Sequence, residues 1–142
     1  MTAKAPSRRD VALAWLPALA YMLLIWLLSS FELPTFPTSF VPLRDKGVHA
    51  LEYGALGFLL AHACLRTWRW RLGPLRIGAF AVLFGVLWGV LDEIHQAFVP
   101  GRSADVLDVV ADAVGVTVGT VARILVSRLR AAPSTSERTP TR

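Results

Sequence analysis

The sequence predicts an all-α protein, an integral membrane four-helix bundle. Three observations carry that reading. Over half of the 142 residues are apolar (54%), too many for an average soluble domain of this size. Four long apolar segments recur, each close to the roughly 20 residues needed to cross a hydrocarbon core of about 30 Å. The arginines gather between alternate segments, as they do in membrane proteins. The length suits one domain and no internal repeat divides it. The reading is residues 1–10 as a cytoplasmic N-terminal segment, 11–130 as the four-span membrane domain, and 131–142 as a disordered cytoplasmic tail rich in Ser, Thr, Pro and Arg.

The first span is Val11–Ser30, which carries no charge. Lys4, Arg8 and Arg9 precede it, so a signal peptide competes with a retained helix. The apolar stretch is longer than a typical signal core and no A-x-A-like site follows it, which favours the retained helix. The second span is Lys46–Leu65 and the third Leu75–Phe98. The purely apolar part of the third, Ile77–Leu91, is too short to cross alone, so Asp92, Glu93 and Gln96 belong near one end. The fourth span, Asp105–Val126, must carry Asp108 and Asp112.

Arginine placement sets the expected topology. Lys4, Arg8 and Arg9, then Arg66, Arg69, Arg71 and Arg76, then Arg123, Arg128 and Arg130 all fall on one side of a four-span chain. The other side has Arg44, Lys46 and Arg102 mixed with acids. The positive-inside rule puts both termini in the cytoplasm and the acidic end outside. Trp68 and Trp70, set among arginines, fit a headgroup belt. That same distribution argues against nucleic acid as the partner of a chain with formal charge +5. The single cysteine, Cys64, excludes an intrachain disulfide and reads as a small buried hydrophobe.

Seven of the ten acids sit at or just inside the span ends, and all seven fall on the side opposite the arginine clusters: Asp45, Glu52, Asp92, Glu93, Asp105, Asp108 and Asp112. Charges at membrane depth are expensive, so they usually face the protein interior and serve function. At about 100° per residue, Asp45, His49, Glu52 and Tyr53 share one helical face. Asp92, Glu93 and Gln96 share a second with Gly85 and Gly89. Asp105, Asp108 and Asp112 share a third with Gly115 and Gly119. The small residues suggest helices packed closely below a polar cavity, with Gly85/Gly89 also a candidate contact between chains.

Each residue has a plainer reading. Asp45 and Asp105 fit helix N-caps, where acids suit the dipole. The deeper acids could form a salt-bridged clamp with Lys46, Arg102 and His49. The functional reading makes His49, Glu52, Asp92, Glu93 and Asp108 candidates for proton transfer. Lys46, Tyr53, Gln96, Arg102 and Asp112 are candidates for substrate binding, with Arg102 offering a bidentate fork to phosphate or carboxylate. Asp92, Glu93, Asp105 and Asp108 are candidate ligands for a divalent cation, Mg²⁺, Ca²⁺ or Mn²⁺. The loop V99-P-G-R-S-A-D105 is a turn that would hold Arg102 over the cavity mouth. Ser103 reads as an N-cap before a nucleophile, His95 as an interfacial residue, and His62 as a neutral bystander.

These blocks resemble the VanZ-like family of small bacterial membrane proteins. The resemblance runs from Arg44 to Gly119. It rests on Asp45, Lys46, His49 and Tyr53, then Asp92, Glu93, Gln96 and Phe98, then Pro100, Gly101 and Arg102, then Asp108, Asp112 and Gly115. The family usually has Asn where this chain has Asp112. The resemblance implies a multi-spanning protein of the bacterial cytoplasmic membrane, whose founding member is associated with low-level resistance to the glycopeptide teicoplanin. It implies no reaction. Two function classes stay open: a site binding or acting on an envelope lipid or phosphate head group, and a non-enzymatic envelope factor whose charged cluster binds a partner or antibiotic. A proton or ion pathway is disfavoured, because the faces turn to Gly, Val and Leu on the inner half.

Overall fold

The computed structural model describes residues 5–31 and 44–131, with the side chains of 44 and 45 left aside. Lys4, the Asp45 side chain and residues 132–142 therefore lie outside the described residues. Four helices follow in order: α1 (Arg8–Ser29), α2 (Arg44–Trp68), α3 (Pro74–Gln96) and α4 (Val106–Leu129). All four are long and apolar enough to cross a membrane, so the all-α bundle stands.

The helix ends differ from the apolar runs for local reasons. α1 starts before its apolar core because Ser7 and Asp10 form a capping box. The Ser7 hydroxyl oxygen accepts from the Asp10 amide and the Asp10 carboxylate accepts from the Ser7 amide. α3 opens on Gly73–Pro74, where proline's missing N–H costs nothing. It closes at Gln96, short of Phe98. A turn takes over there, with the Arg102 amide donating to the Val99 carbonyl and Gly101 at φ 79°. Asp105 caps α4, accepting from the Leu107 amide at 2.8 Å. Of the two caps read from sequence, Asp105 holds this position, and Ser103 is exposed two residues earlier.

α2 is the central helix and packs against each of the others, while α1 and α4 do not meet. The α2–α4 contact is backbone on backbone. A Cβ added to Gly115 would overlap the Ala50 carbonyl, one on Gly119 the Gly54 carbonyl, and one on Gly57 the Val116 carbonyl. Absent side chains let the helices approach closely, gaining dispersion contacts that lipid cannot replace. Thr120 adds a hydroxyl bond to the Gly57 carbonyl at 3.2 Å. Gly85 and Gly89 of α3 face Val116 and Asp112 of α4. The small stripes of α3 and α4 thus pack within the chain.

α1 buries one stripe, Ala14, Ala18, Met22, Ile25 and Ser29, at helical spacing. Leu13, Leu16, Leu19, Leu23 and Leu27 face outward, as a lipid-facing surface requires. Trp15 docks α1 to the far end of α2, donating to the Thr67 hydroxyl at 3.0 Å and standing edge-on to Trp68. Leu56, Leu60, Ile77 and Val116 fill the bundle centre. Cys64 is buried there.

Candidate functional site

The helix order dictates where the polar residues meet. The start of α2, the end of α3 and the start of α4 lie at one end of the bundle, and their acidic faces turn inward. Asp92, Glu93, Gln96, Asp108 and Asp112 are all at least 95% buried. His49 is 9% exposed. Polar groups so placed need partners, and most have them.

Lys46 of α2 donates to Asp105 and Asp108 at the head of α4, at 2.5 Å each. This clamp ties two helices and adds a cation beside the acids of the first turn. The Lys46 hydrogen bond holds the Asp105 carboxyl below its ordinary range. His49 Nδ1 lies 3.1 Å from Asp112 Oδ1. Asp92 accepts from Ser29 Oγ at 2.6 Å and from Gln96 Nε2 at 2.9 Å. Gln96 Oε1 in turn accepts from Arg102 Nη2 at 2.7 Å. Glu93 Oε2 accepts the Asp105 amide at 2.9 Å. The later part of the turn after α3 is thereby tied back to α3 at two points, Arg102 and Asp105.

Two layers result. The outer one lines a cleft of about 500 Å³ between α1, α2 and α3. Its polar lining is His49, Glu52, Asp92, Gln96 and Arg102, and its apolar lining includes Ile25, Leu28, Val48 and Leu51. The inner layer is Glu93, Asp108, Asp112 and the Tyr53 ring, shut between α2, α3 and α4. His49 reaches both. Tyr53, read from sequence as a binding residue, is only 1% exposed and stands behind the cleft. Gly89 lets Tyr53 and Asp112 come together, since a Cβ there would lie 3.2 Å from the tyrosine ring and 3.0 Å from Asp112 Oδ2.

Charge in this site is unequal. Among the described residues six carboxylates, Glu52, Asp92, Glu93, Asp105, Asp108 and Asp112, share two permanent cations, Lys46 and Arg102. Lys46 is committed to Asp105 and Asp108. Arg102 bonds only the neutral amide of Gln96, and no described carboxylate lies within ion-pair distance of it. Among the described residues one ligand set for a metal is compact: His49, Glu93 and Asp112 offer donor atoms within 4.8 Å of one another. Of the sequence-read ligands, Glu93 belongs to it. Asp92, Asp105 and Asp108 turn oxygens to Ser29, Gln96 and Lys46 instead.

A family model, VanZ/LLP1, matches residues 13–127. The chain belongs to the VanZ/LLP1 family. No curated protein and no solved structure matches it significantly. In this VanZ/LLP1 chain the matched span takes in all four helices and the whole polar end.

Sequence reasoning missed what α1 brings to this VanZ/LLP1 site. Ser29 holds Asp92. Ser30 Oγ lies 2.9 Å from His95 Nε2, and the His95 ring stacks on Trp26 at 4.0 Å. The only signal was Ser29–Ser30 closing an apolar run at the depth of the acids. At the opposite end, a second concavity of about 810 Å³ is lined by Arg66, Arg69, Arg123 and Asp10. His62, read as a bystander, is bonded there by Arg123 at 2.9 Å.

Proposed function

We propose that this VanZ/LLP1 protein takes up the anionic head group of an envelope lipid, phosphate in the first instance, through its polar end. The observation that carries this is Arg102. It lines a cleft of mixed polar and apolar side chains, and its guanidinium is bonded to an amide where carboxylates abound. A guanidinium prefers a planar bidentate partner and is worth most where water is partly excluded. The apolar lining residues Ile25, Leu28, Val48 and Leu51 suit the first methylenes of an acyl or prenyl chain entering from the bilayer. Arg102 would hold the phosphate, with Gln96 steering the fork. Glu52, which has no hydrogen bond or ion pair among the described residues, would meet a donor on the head group. His49 sits within the same lining as a group able to exchange protons.

Short-chain phosphatidic acid and a polyprenyl phosphate, each compared with phosphatidylcholine in detergent micelles, are the direct probes. Wild type is expected to bind the phosphomonoesters selectively. Arg102→Gln should weaken that binding about tenfold or more, the loss of one charge-assisted pair, and Arg102→Lys should recover part of it. Equal binding of all three lipids, or an Arg102→Gln variant that binds like wild type, rejects the reading. Glycopeptide susceptibility of cells carrying the same variants tests whether a resistance phenotype follows the site.

Orientation completes the proposal. The arginine clusters would sit in the cytoplasm with both termini, and the acidic end would face outward across the inner membrane. In a Cys64→Ser background, Ser103→Cys should react with a membrane-impermeant maleimide in intact cells. Gly73→Cys should react only after permeabilisation. The reverse pattern puts the site on the cytoplasmic side.

A further inference from the structure

We infer that His49, Glu93 and Asp112 form a binding site for one divalent transition-metal ion, of the Zn²⁺ or Mn²⁺ class. The three come from three helices, α2, α3 and α4, and their donor atoms fall within 4.8 Å of one another. Tetrahedral metal bonds of about 2.0–2.2 Å hold their donors roughly 3.3–3.6 Å apart, so uptake draws the three side chains together by about 1 Å.

A cluster of acids is not a site by itself, and a second observation distinguishes this one. Among the described residues four buried polar atoms lack a hydrogen-bond partner; one is Trp88 Nε1, and the other three are Glu93 Oε1, Asp112 Oδ2 and Tyr53 Oη. Their residues are 4%, 1% and 1% exposed. Leaving such atoms unsatisfied is unfavourable, most of all for a charged group. Two of the three belong to the proposed ligands. The third belongs to Tyr53, whose ring stands with Asp112 against Gly89. The remaining oxygens are already oriented: the Asp105 amide holds Glu93 Oε2, and His49 holds Asp112 Oδ1. Ligand orientation by neighbours of this kind is what metal centres show.

The chemistry of the set names the ion. Mg²⁺ and Ca²⁺ prefer all-oxygen shells, whereas an imidazole mixed with carboxylates suits Zn²⁺, Mn²⁺ or Fe²⁺. Three protein ligands leave coordination positions open. Charge fits as well. Lys46 is spent on Asp105 and Asp108, so Glu93 and Asp112 face each other with only His49 between them. A dication offsets both. It would also explain how an end so rich in acids could accept an anionic head group. In that respect the inference deepens the head-group reading, although its own test needs no lipid.

Protein in detergent, stripped with EDTA and re-exposed to equimolar Zn²⁺, Mn²⁺ and Mg²⁺, is desalted and its metal content measured. The expected result is about one Zn²⁺ or Mn²⁺ per chain, with Mg²⁺ excluded, and a rise in melting temperature that saturates with the ion. Co²⁺ should give visible absorption of an imidazole-containing site. His49→Gln and Glu93→Gln should weaken binding at least tenfold and remove the melting-temperature rise. Gln at 93 can still accept the Asp105 amide, which keeps the turn in place. His62→Gln, at the opposite end, should bind metal as wild type does. No stoichiometric metal in wild type overturns the inference, and so does metal retained equally by His49→Gln and Glu93→Gln. Arg102→Gln separates the two readings. It should bind metal normally, and lipid binding that survives EDTA while no metal is found sinks the metal site alone.

Discussion

Gly119→Val should be the most damaging single substitution in the bundle, lowering stability by about 3 kcal/mol or more. The new side chain begins where the Gly54 carbonyl of α2 already lies, with the Phe58 amide 2.9 Å from the added Cβ. Backbone cannot turn aside as a flexible side chain can, so α2 and α4 must separate. Overpacking typically costs 1–3 kcal/mol, and here the separation also strips the Thr120–Gly57 bond and opens the polar layer above. Thermal unfolding in detergent reads the effect. Gly47→Ala, on the same pair of helices, meets nothing within 4 Å and should be neutral or gain up to about 1 kcal/mol from better helix propensity. If Gly119→Val melts with wild type, the helices do not touch as described.

Lys46→Gln should come second, destabilising by about 1–3 kcal/mol. The estimate is the penalty for a buried charged acceptor deprived of its donor, kept modest because the Lys46 side chain is 20% exposed and water can enter. Asp108, only 8% exposed at the side chain, is the acid left without its cation. Asp105 supplies a pH signature. Its folded carboxyl titrates below the ordinary value because of the Lys46 bond. The stability linked to it is present above the unfolded value and is lost as pH falls through the folded one. Wild type and Lys46→Gln should therefore differ at neutral pH and converge in acid. Arg102→Gln should cost less stability than Lys46→Gln, because no described carboxylate lies within ion-pair distance of Arg102. Melting the two variants side by side separates the residue that clamps the fold from the one proposed to hold a ligand. Equal losses for both would reject that division.

Much of this was legible before any coordinates. Apolar length marked four spans because a helix must satisfy its backbone within the bilayer, which leaves a long uncharged run few alternatives. Helical phase placed the acids of α3 and α4 on the same faces as Gly85, Gly89, Gly115 and Gly119, and those faces do turn inward. The α2 glycines were less visible. Gly54 and Gly57 sit in a three-residue step that is not the four-residue spacing of a recognised small-residue motif, although Gly119 packs onto the Gly54 carbonyl and Gly57 onto the Val116 carbonyl. Ser29 and Ser30 were silent too. A serine at a helix end most often caps or meets water, and only the tilt of α1 against α3 gives Ser29 an acid to bond.

By itself the sequence determined the family blocks, the four spans, and the gathering of acids at the end away from the arginines. These follow from patterns along one chain: hydropathy, charge order and the helical repeat. Tertiary structure alone decided the pairings. Lys46 meets Asp105 and Asp108, His49 meets Asp112, Arg102 turns to Gln96, and Tyr53 is shut behind the cleft. The physical reason is that each cation stood within sequence-level reach of several acids on facing helices. Choosing among them depends on how far the helices slide and rotate against one another. That is set to a fraction of an ångström by the bare backbones of Gly54, Gly57, Gly115 and Gly119.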